Sequence, residues 1–395
     1  FRFYLLFQRA NFGWDQVDSA WAAKGILMDK HILINGPVAK GNSGIYMGPL
    51  YYYLVTIVYF FTNLDPIASP IFQGFMGIAN FLILFYVTKK IFNTNIALIA
   101  CFINTFSALI MSADRVQSAF YLIVPISYLI FYALLKVVRG KVKYLPLLAV
   151  FTGLSFHVDF TSVLYPLLII FVLPFLPKTK QTIKYLLLSV LIFSLFLAPS
   201  ILSSIHLKTQ TTGHLFTLFH TTYHGIHLKR LLQLLSDAFI SYGKVLQFSF
   251  LGFLSYLVLP VFGIFYYKTN SRKDTFSLLY LMALWVIIPW IVLSTYSGEL
   301  TDYYFLLPQD IAIASLAFIT LFTFQQKFML LKVIPIILWA AYAVYGFWFF
   351  LNMPDGNLIP TENGVKQTIK NGGYIPFKDH KADSYMYYVY TRKNK

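Results

Sequence analysis

Asp15 and Asp18 stand near the start of a long polar stretch, residues 11–53, set between apolar segments. A carboxylate held beside an apolar surface can accept a proton from an attacking hydroxyl, the work of a general base. The same two residues also suit a plainer role. Asp15 can cap the helix that follows and Asp18 can stabilise its first turn. A second candidate is Asp114, followed directly by Arg115, at the boundary between two apolar runs. Ionisable groups close to a bilayer are costly and tend to be functional. The planar fork of Arg115 fits a phosphate through paired hydrogen bonds. His157 and Asp159 interrupt another pair of apolar runs. Two residues apart, they do not share a helical face, so they are not a ready metal pair; His157 reads either as a satisfied structural group at a helix end or as a ligand for phosphate or a sugar hydroxyl. Tyr46 and Tyr51 to Tyr53 close the first polar stretch, and Tyr303 and Tyr304 lead into a later helix. These tyrosines can contact a lipid or a sugar, or simply anchor helices at an interface. His220, His224 and His227 fall on one helical face, a spacing that zinc uses. No acid lies within that triplet, so it is a compositional hint only. The metal requirement stays open, with room for a divalent ion.

The elements that must position these residues are apolar. The chain has 395 residues, of which 58% are hydrophobic and only 12% charged. Soluble domains carry about twice that share of charge. Apolar runs recur at roughly 46–62, 67–88, 95–112, 119–138, 144–157, 160–177, 185–202, 245–267, 275–296, 303–324 and 329–351. Several reach the ~20 residues a bilayer crossing needs. The expected fold class is therefore an all-α polytopic membrane protein. It is expected to divide into a transmembrane domain over 1–351 and a small outward-facing segment over 352–395, the latter carrying a short strand or domain. No cleavable leader is visible, and Phe1 to Phe7 reads as the end of a first helix that is mostly missing. The single cysteine, Cys101, cannot form an internal disulfide.

Charge sorting supplies a topology. Lys89, Lys90, Lys136, Arg139, Lys141, Lys143, Lys178, Lys180, Lys184, Lys268, Arg272, Lys273 and Lys327 fall in one alternate set of loops. Asp15, Asp18, Asp65, Asp114, Asp159, Asp237, Glu299 and Asp302 fall in the other. By the positive-inside rule, the basic set is cytoplasmic and the acidic set faces outward. The formal charge of +16 is thus explained by topology and anionic lipids, and nucleic acid is not an expected partner. Keeping Asp15 on the side of Asp114 requires that the run 46–62 not cross fully. Val17, Ala20, Ala23, Ile26 and Leu27 follow Asp15 at helical spacing, as in a helix lying in the interface.

The runs GWDQVDSAWAAKGIL, GIYMGPLYYYLV, KKIFNTNIALIACFINTFSALIMSADRVQSAF, GLSFHVDFTSVLYPLL and DYYFLLP, in this order, resemble the GT-C integral membrane glycosyltransferases. The bacterial protein mannosyltransferase and aminoarabinose transferase group is the nearest in look. The resemblance implies a GT-C-like helical bundle with a long first outer loop of interfacial helices. It implies Asp15 and Asp114 as the catalytic acids of two outer loops. It implies a polyprenyl-phosphate sugar as donor and a lipid, glycan or protein as acceptor. The expected activity is glycosyl transfer at the outer face of the cell membrane by a multi-pass protein in contact with membrane lipids. The residues alone leave a second reading open, a multi-pass transporter or flippase of lipid-linked or small solutes.

Overall fold

The computed structural model describes residues 2–38, 46–206, 228–234, 255–296, 304, 306–370 and 387. Among them the regular elements are helices, and Val38 and Tyr46 form an isolated antiparallel bridge. In chain order the α-helices are α1 (Leu6–Arg9), α2 (Trp14–Leu27), α3 (Leu50–Phe61), α4 (Ala68–Ile91), α5 (Thr94–Phe106), α6 (Ala108–Ala113), α7 (Ile123–Val138), α8 (Leu145–Ser155), α9 (Leu164–Ile170), α10 (Lys180–His206), α11 (Ser255–Thr269), α12 (Arg272–Ser294), α13 (Gln309–Phe324), α14 (Met329–Leu351) and α15 (Leu358–Lys370). Single turns of 3-10 helix lead into α7 and α9. The apolar runs of the sequence therefore fold as the expected helices, within a few residues.

The breaks have local causes. Asn93 accepts a hydrogen bond from the Ile96 amide at 2.9 Å, which caps α5 straight after the last turn of α4. The expected run 95–112 is split because Ser107 is extended and caps α6. Ser271 accepts from the Asp274 amide at 3.2 Å and starts α12.

Five helical stretches among the described residues are long and apolar enough to cross a membrane: Ala68–Ile91, Ala119–Val138, Lys180–Ser203, Arg272–Ser294 and Met329–Leu351. By contrast, α3 has 12 residues, about 18 Å at the helical rise, well short of a ~30 Å hydrocarbon core.

α7 lies at the centre of the bundle, packed by α4, α8, α12 and α13. Burying apolar surface does little to hold helices together in lipid, so close packing and interhelical hydrogen bonds do it. Trp285 Nε1 donates to Ser127 Oγ at 2.9 Å, and Ser127 Oγ donates to the Leu307 carbonyl at 2.8 Å. Thr88 and Tyr128 share a hydroxyl bond of 3.0 Å, and Tyr342 donates to the Ile103 carbonyl at 2.9 Å. α10 and α14 present exposed Leu, Ile and Val along most of their lengths, as lipid-facing helices do.

Basic loops gather at one end. Arg139 pairs with Asp274 at 3.2 Å, and Lys136 lies in the electrostatic field of Lys141, Arg139 and Lys90. A second, smaller core forms elsewhere from α2, α3 and the start of α4, joined by Leu358 and Tyr387 from beyond α14. The tail expected to form a strand or small domain is instead helical over Leu358–Lys370 and docks on the N-terminal residues. Of the alternating stretch 385–390, only Tyr387 lies within the described residues.

Candidate active site

Asp15 occupies the first turn of α2, but it does not cap the helix. Gly13 is the N-cap, and its amide donates to the Gln16 side-chain oxygen at 3.2 Å. The expected capping role for Asp15 is thereby corrected. Its carboxylate instead accepts a hydrogen bond from the Ser118 hydroxyl. One turn on, Asp18 accepts from the Tyr52 hydroxyl of α3. Asp159 begins the turn before α9 and accepts from the Thr161 amide at 2.8 Å and from the Thr161 hydroxyl. All three carboxyls line a single cavity of about 330 Å³, with Tyr51, Met47, Ser118 and Phe120 among its other walls. Among its described lining residues there is no Lys, Arg or His. Burial pushes the Asp18 and Asp159 carboxyls above the usual carboxylate range, and the negative charge of Asp15 adds to the rise at Asp18.

Gln117 ties the walls together. It is fully buried, and its amide nitrogen donates to Ser19 Oγ at 2.9 Å and to the Tyr51 hydroxyl. Its side-chain oxygen accepts from Ser69 at 2.8 Å, and its carbonyl accepts from Gln16. One residue thus links α2, α3, α4 and the loop that carries Ser118.

Asp114 stands at the other end of that loop. It pairs with Arg2 Nε at 2.8 Å, and Arg2 Nη2 reaches Asn104 Oδ1 at 3.3 Å. Burial pushes the Asp114 carboxyl up to about 6, against the pull of Arg2 and Arg115. It lines a smaller cavity of about 40 Å³ with Gln73, Gly77, Asn80 and Gln309, separate from the Asp15 cavity. Tyr121 lies within electrostatic range of both Asp15 and Asp114. The two expected catalytic acids are therefore neighbours across one loop, each in its own cavity. Near Asp114, Arg9 donates to the Phe350 and Leu351 carbonyls, completing the C-terminus of α14. Arg115 donates to the Tyr4 carbonyl at 3.0 Å, and the Phe350 ring lies between the two guanidiniums, 5.6 Å from Arg9 and 5.8 Å from Arg115. The guanidiniums of Arg2 and Arg115 thus both act on the Asp114 carboxylate, and Arg9 lies within electrostatic range of Arg115.

Gly77 makes the ion pair fit. A Cβ there would lie 2.3 Å from Asp114 Oδ1 and 2.7 Å from Arg2 Nε. Gly77→Ala is expected to push the pair off helix α4 and to lower stability by about 1–3 kcal/mol, the usual cost of overpacking. Thermal unfolding of the detergent-purified variant checks this, and an unchanged midpoint would show that the pair has room to move.

His157 is not in the cavity. Its ring is buried, with Nδ1 accepting from the Leu50 amide at 3.4 Å and Nε2 donating to the Phe196 carbonyl at 3.0 Å. Both nitrogens are occupied by backbone, so the expected phosphate or sugar contact is replaced by a structural one that fixes the start of α3. Burial holds this imidazole below its ordinary pKa, in the neutral form that the two bonds require. Gly48 allows this approach, since a Cβ there would lie 1.9 Å from His157 Nδ1.

Of the tyrosines, Tyr51 lines the cavity, while Tyr46 sits partly exposed on the bridge with Val38, itself a lining residue. Tyr304 packs against Leu234 and Leu293, away from the Asp15 cavity. Tyr303, Glu299, Asp302, Asp237 and the His220, His224, His227 triplet lie outside the described residues. Among the described residues no group of three or more His, Cys, Asp and Glu is placed to hold a metal. Ser118, Gln117, Arg2 and Arg9 were not singled out from sequence. The available signal was polar residues, VQS, directly beside an apolar run.

Residues 47–202 match the family model described as dolichyl-phosphate-mannose-protein mannosyltransferase. The whole chain superposes on the crystal structure of ArnT from Cupriavidus metallidurans in the apo state, with a TM-score of 0.56 at 11% identity, covering 99% of this chain and 73% of that one. The same enzyme bound to undecaprenyl phosphate gives a TM-score of 0.56 at 10% identity, covering 99% and 74%. No curated protein sequence matches the chain. The GT-C fold and the resemblance to this glycosyltransferase group therefore stand.

Proposed function

We propose that the protein moves a sugar from a polyprenyl-phosphate donor to an acceptor hydroxyl, with the acidic end of the bundle facing out of the cell membrane. The observation that carries this reading is the pairing of a carboxyl-lined cavity with a buried guanidinium cluster one loop away. Carboxyls accept hydrogen bonds from the hydroxyls of a sugar ring, whereas surplus guanidinium charge suits a phosphate. A polyprenyl chain stays in the bilayer, so its head group must be met at the membrane surface. A cavity walled by α2 and the short α3 fits a site at that surface. The ArnT structure with undecaprenyl phosphate supports the same class of donor for this fold.

In this mechanism Asp15 takes the proton of the acceptor hydroxyl as its oxygen attacks the anomeric carbon. The bond from that carbon to the phosphate oxygen breaks, and the phosphate departs with the electron pair. Arg2, Arg9 and Arg115 stabilise the charge left on it. Asp114 holds Arg2 in place. A phosphate nucleophile would meet like charge at Asp15, so the acceptor is a neutral alcohol, on a lipid, glycan or protein.

The test is release of polyprenyl phosphate from a labelled polyprenyl-phosphate sugar by the full-length protein purified in detergent. Release that requires an alcohol acceptor is the expected result, and none across hexose and pentose donors would overturn the reading. Arg115→Ala is expected to raise the donor KM by about tenfold, the loss of one charge-assisted contact.

A further inference from the structure

Residues 8–12 and 356–358 are joined by an unusual density of hydrogen bonds for two such distant segments. The Gly356 amide donates to the Gln8 carbonyl at 2.7 Å, and the Leu358 amide donates to the Ala10 carbonyl at 3.0 Å. Asn357, between them, bonds both sides of Phe12: its Oδ1 accepts from the Phe12 amide at 2.6 Å, and its Nδ2 donates to the Phe12 carbonyl at 3.3 Å. Its own amide donates to Asn11 Oδ1 at 3.3 Å. Gly356 is required by the closeness of the two strands of chain, since a Cβ there would stand 1.9 Å from the Ala10 carbonyl oxygen.

A second contact reinforces the first. Tyr387 is completely buried, and its hydroxyl donates to the Leu64 carbonyl at 2.9 Å. Its ring centroid lies 5.7 Å from Phe12, 5.6 Å from Trp21 and 6.3 Å from Tyr59. Phe12 precedes the cap of α2 by one residue, and Asp15 follows that cap by two. Trp21 lies on α2 itself. The C-terminal residues therefore grip α2 at its entry and on its flank, while Gln117 grips its inner face. Neither Asn357 nor Tyr387 lines the cavity.

We infer that Asn357 and Tyr387 are positioning residues: the C-terminal segment is a strap that sets the entry of α2 and so the direction of the Asp15 carboxylate. This rests on the proposed role of Asp15. A carboxylate displaced by about 1 Å from the attacking hydroxyl loses up to ~10²-fold in rate, and a strap bonded to Phe12, three residues before Asp15, is well placed to prevent that.

The experiment compares Asn357→Leu, Asn357→Asp, Tyr387→Leu and Tyr387→Phe in the full chain. Hydrogen exchange of the amides in residues 12–20 is measured first and needs no assumption about activity. Asn357→Leu and Tyr387→Leu are expected to speed that exchange by tenfold or more, with the exchange of α7 unchanged. Asn357→Asp keeps the acceptor for the Phe12 amide, and Tyr387→Phe keeps the ring, so both are expected to stay near wild type. In transfer assays the two leucine variants are expected to lose about 10- to 100-fold in kcat with the donor KM nearly constant, and the conservative variants to recover most of it. Exchange of residues 12–20 that is unmoved in both leucine variants overturns the strap. Faster exchange with unchanged kcat overturns its positioning role. A wild-type chain that transfers no sugar is instead a failure of the functional reading, and the exchange result then still decides whether the strap exists. If the leucine variants do not fold, Asn357→Ala, which removes both side-chain bonds to Phe12 without added bulk, is measured in the same way, and exchange of residues 12–20 at the wild-type rate overturns the strap.

Discussion

Asp15→Asn is expected to cut sugar transfer by about 10²–10⁴-fold, the range that general-base catalysis contributes. The substitution is nearly isosteric. Its amide oxygen can still accept from Ser118, so the wall of the cavity should survive. Gly13, not residue 15, caps α2, so the helix loses no cap. What disappears is the ability to take a proton from the acceptor. The donor KM should change little, because the guanidinium cluster lies on the far side of the 114–118 loop. The check is kcat and KM with folded protein, and near-normal turnover by Asp15→Asn would remove Asp15 from the chemistry. Asp18→Asn provides the contrast. Its carboxyl is bound to Tyr52 and shifted upward by burial, so it should cost less than Asp15→Asn.

Asp114→Asn should change how activity and stability respond to pH, and in opposite directions. In the folded protein the Asp114 carboxyl is pushed up to about 6 by burial, above its ordinary 3.8. A carboxyl raised on folding stabilises the folded state below the unfolded value, and that stabilisation is lost as pH rises through the folded one. Asp114 therefore favours the folded state below pH 4, and its contribution fades between pH 4 and 6. Activity should run the other way. Arg2 has its carboxylate partner only when Asp114 is ionised, so transfer should fall as pH drops below about 6. Asp114→Asn should remove this acid limb and lower the rate at pH 7.5 by about 10²-fold, the cost of losing one preorganised electrostatic group. It should also flatten the pH dependence of thermal stability from pH 4 to 6. A variant whose pH–rate profile overlays the wild type would show that the limb belongs to another group.

The helices of this bundle are legible from the sequence because apolar length is their main determinant in lipid. Asp15 is legible because a carboxylate beside an apolar run is rare enough to stand out. The identity of its partners is not. Gln117 and Ser118 are ordinary polar residues, and only the fold shows that one joins three helices and the other bonds Asp15. His157 stood out for the same reason as Asp15, yet its ring is consumed by the amide of Leu50 and the carbonyl of Phe196. A histidine's type reveals that it can bind something. It does not reveal that backbone groups far along the chain have already claimed both nitrogens. A shared cavity for Asp15, Asp114 and His157 is the expectation from sequence, and the structure separates them: Asp15 and Asp114 line different cavities on either side of one loop, and His157 lines neither.

The bonds between Phe12 and Asn357 span 345 residues. A ribosome makes the first partner long before the second, and chains are built and folded from the N-terminus onward. The helix that carries Asp15 is thus made early, and this restraint arrives only after a further 345 residues have followed Phe12. Every crossing helix between them must be inserted in the right order for the two ends to meet. A chain cut short before residue 356 would carry Asp15 without that restraint. The join of Phe12 to Asn357 thereby makes the setting of α2 depend on residues that follow α14 in the chain.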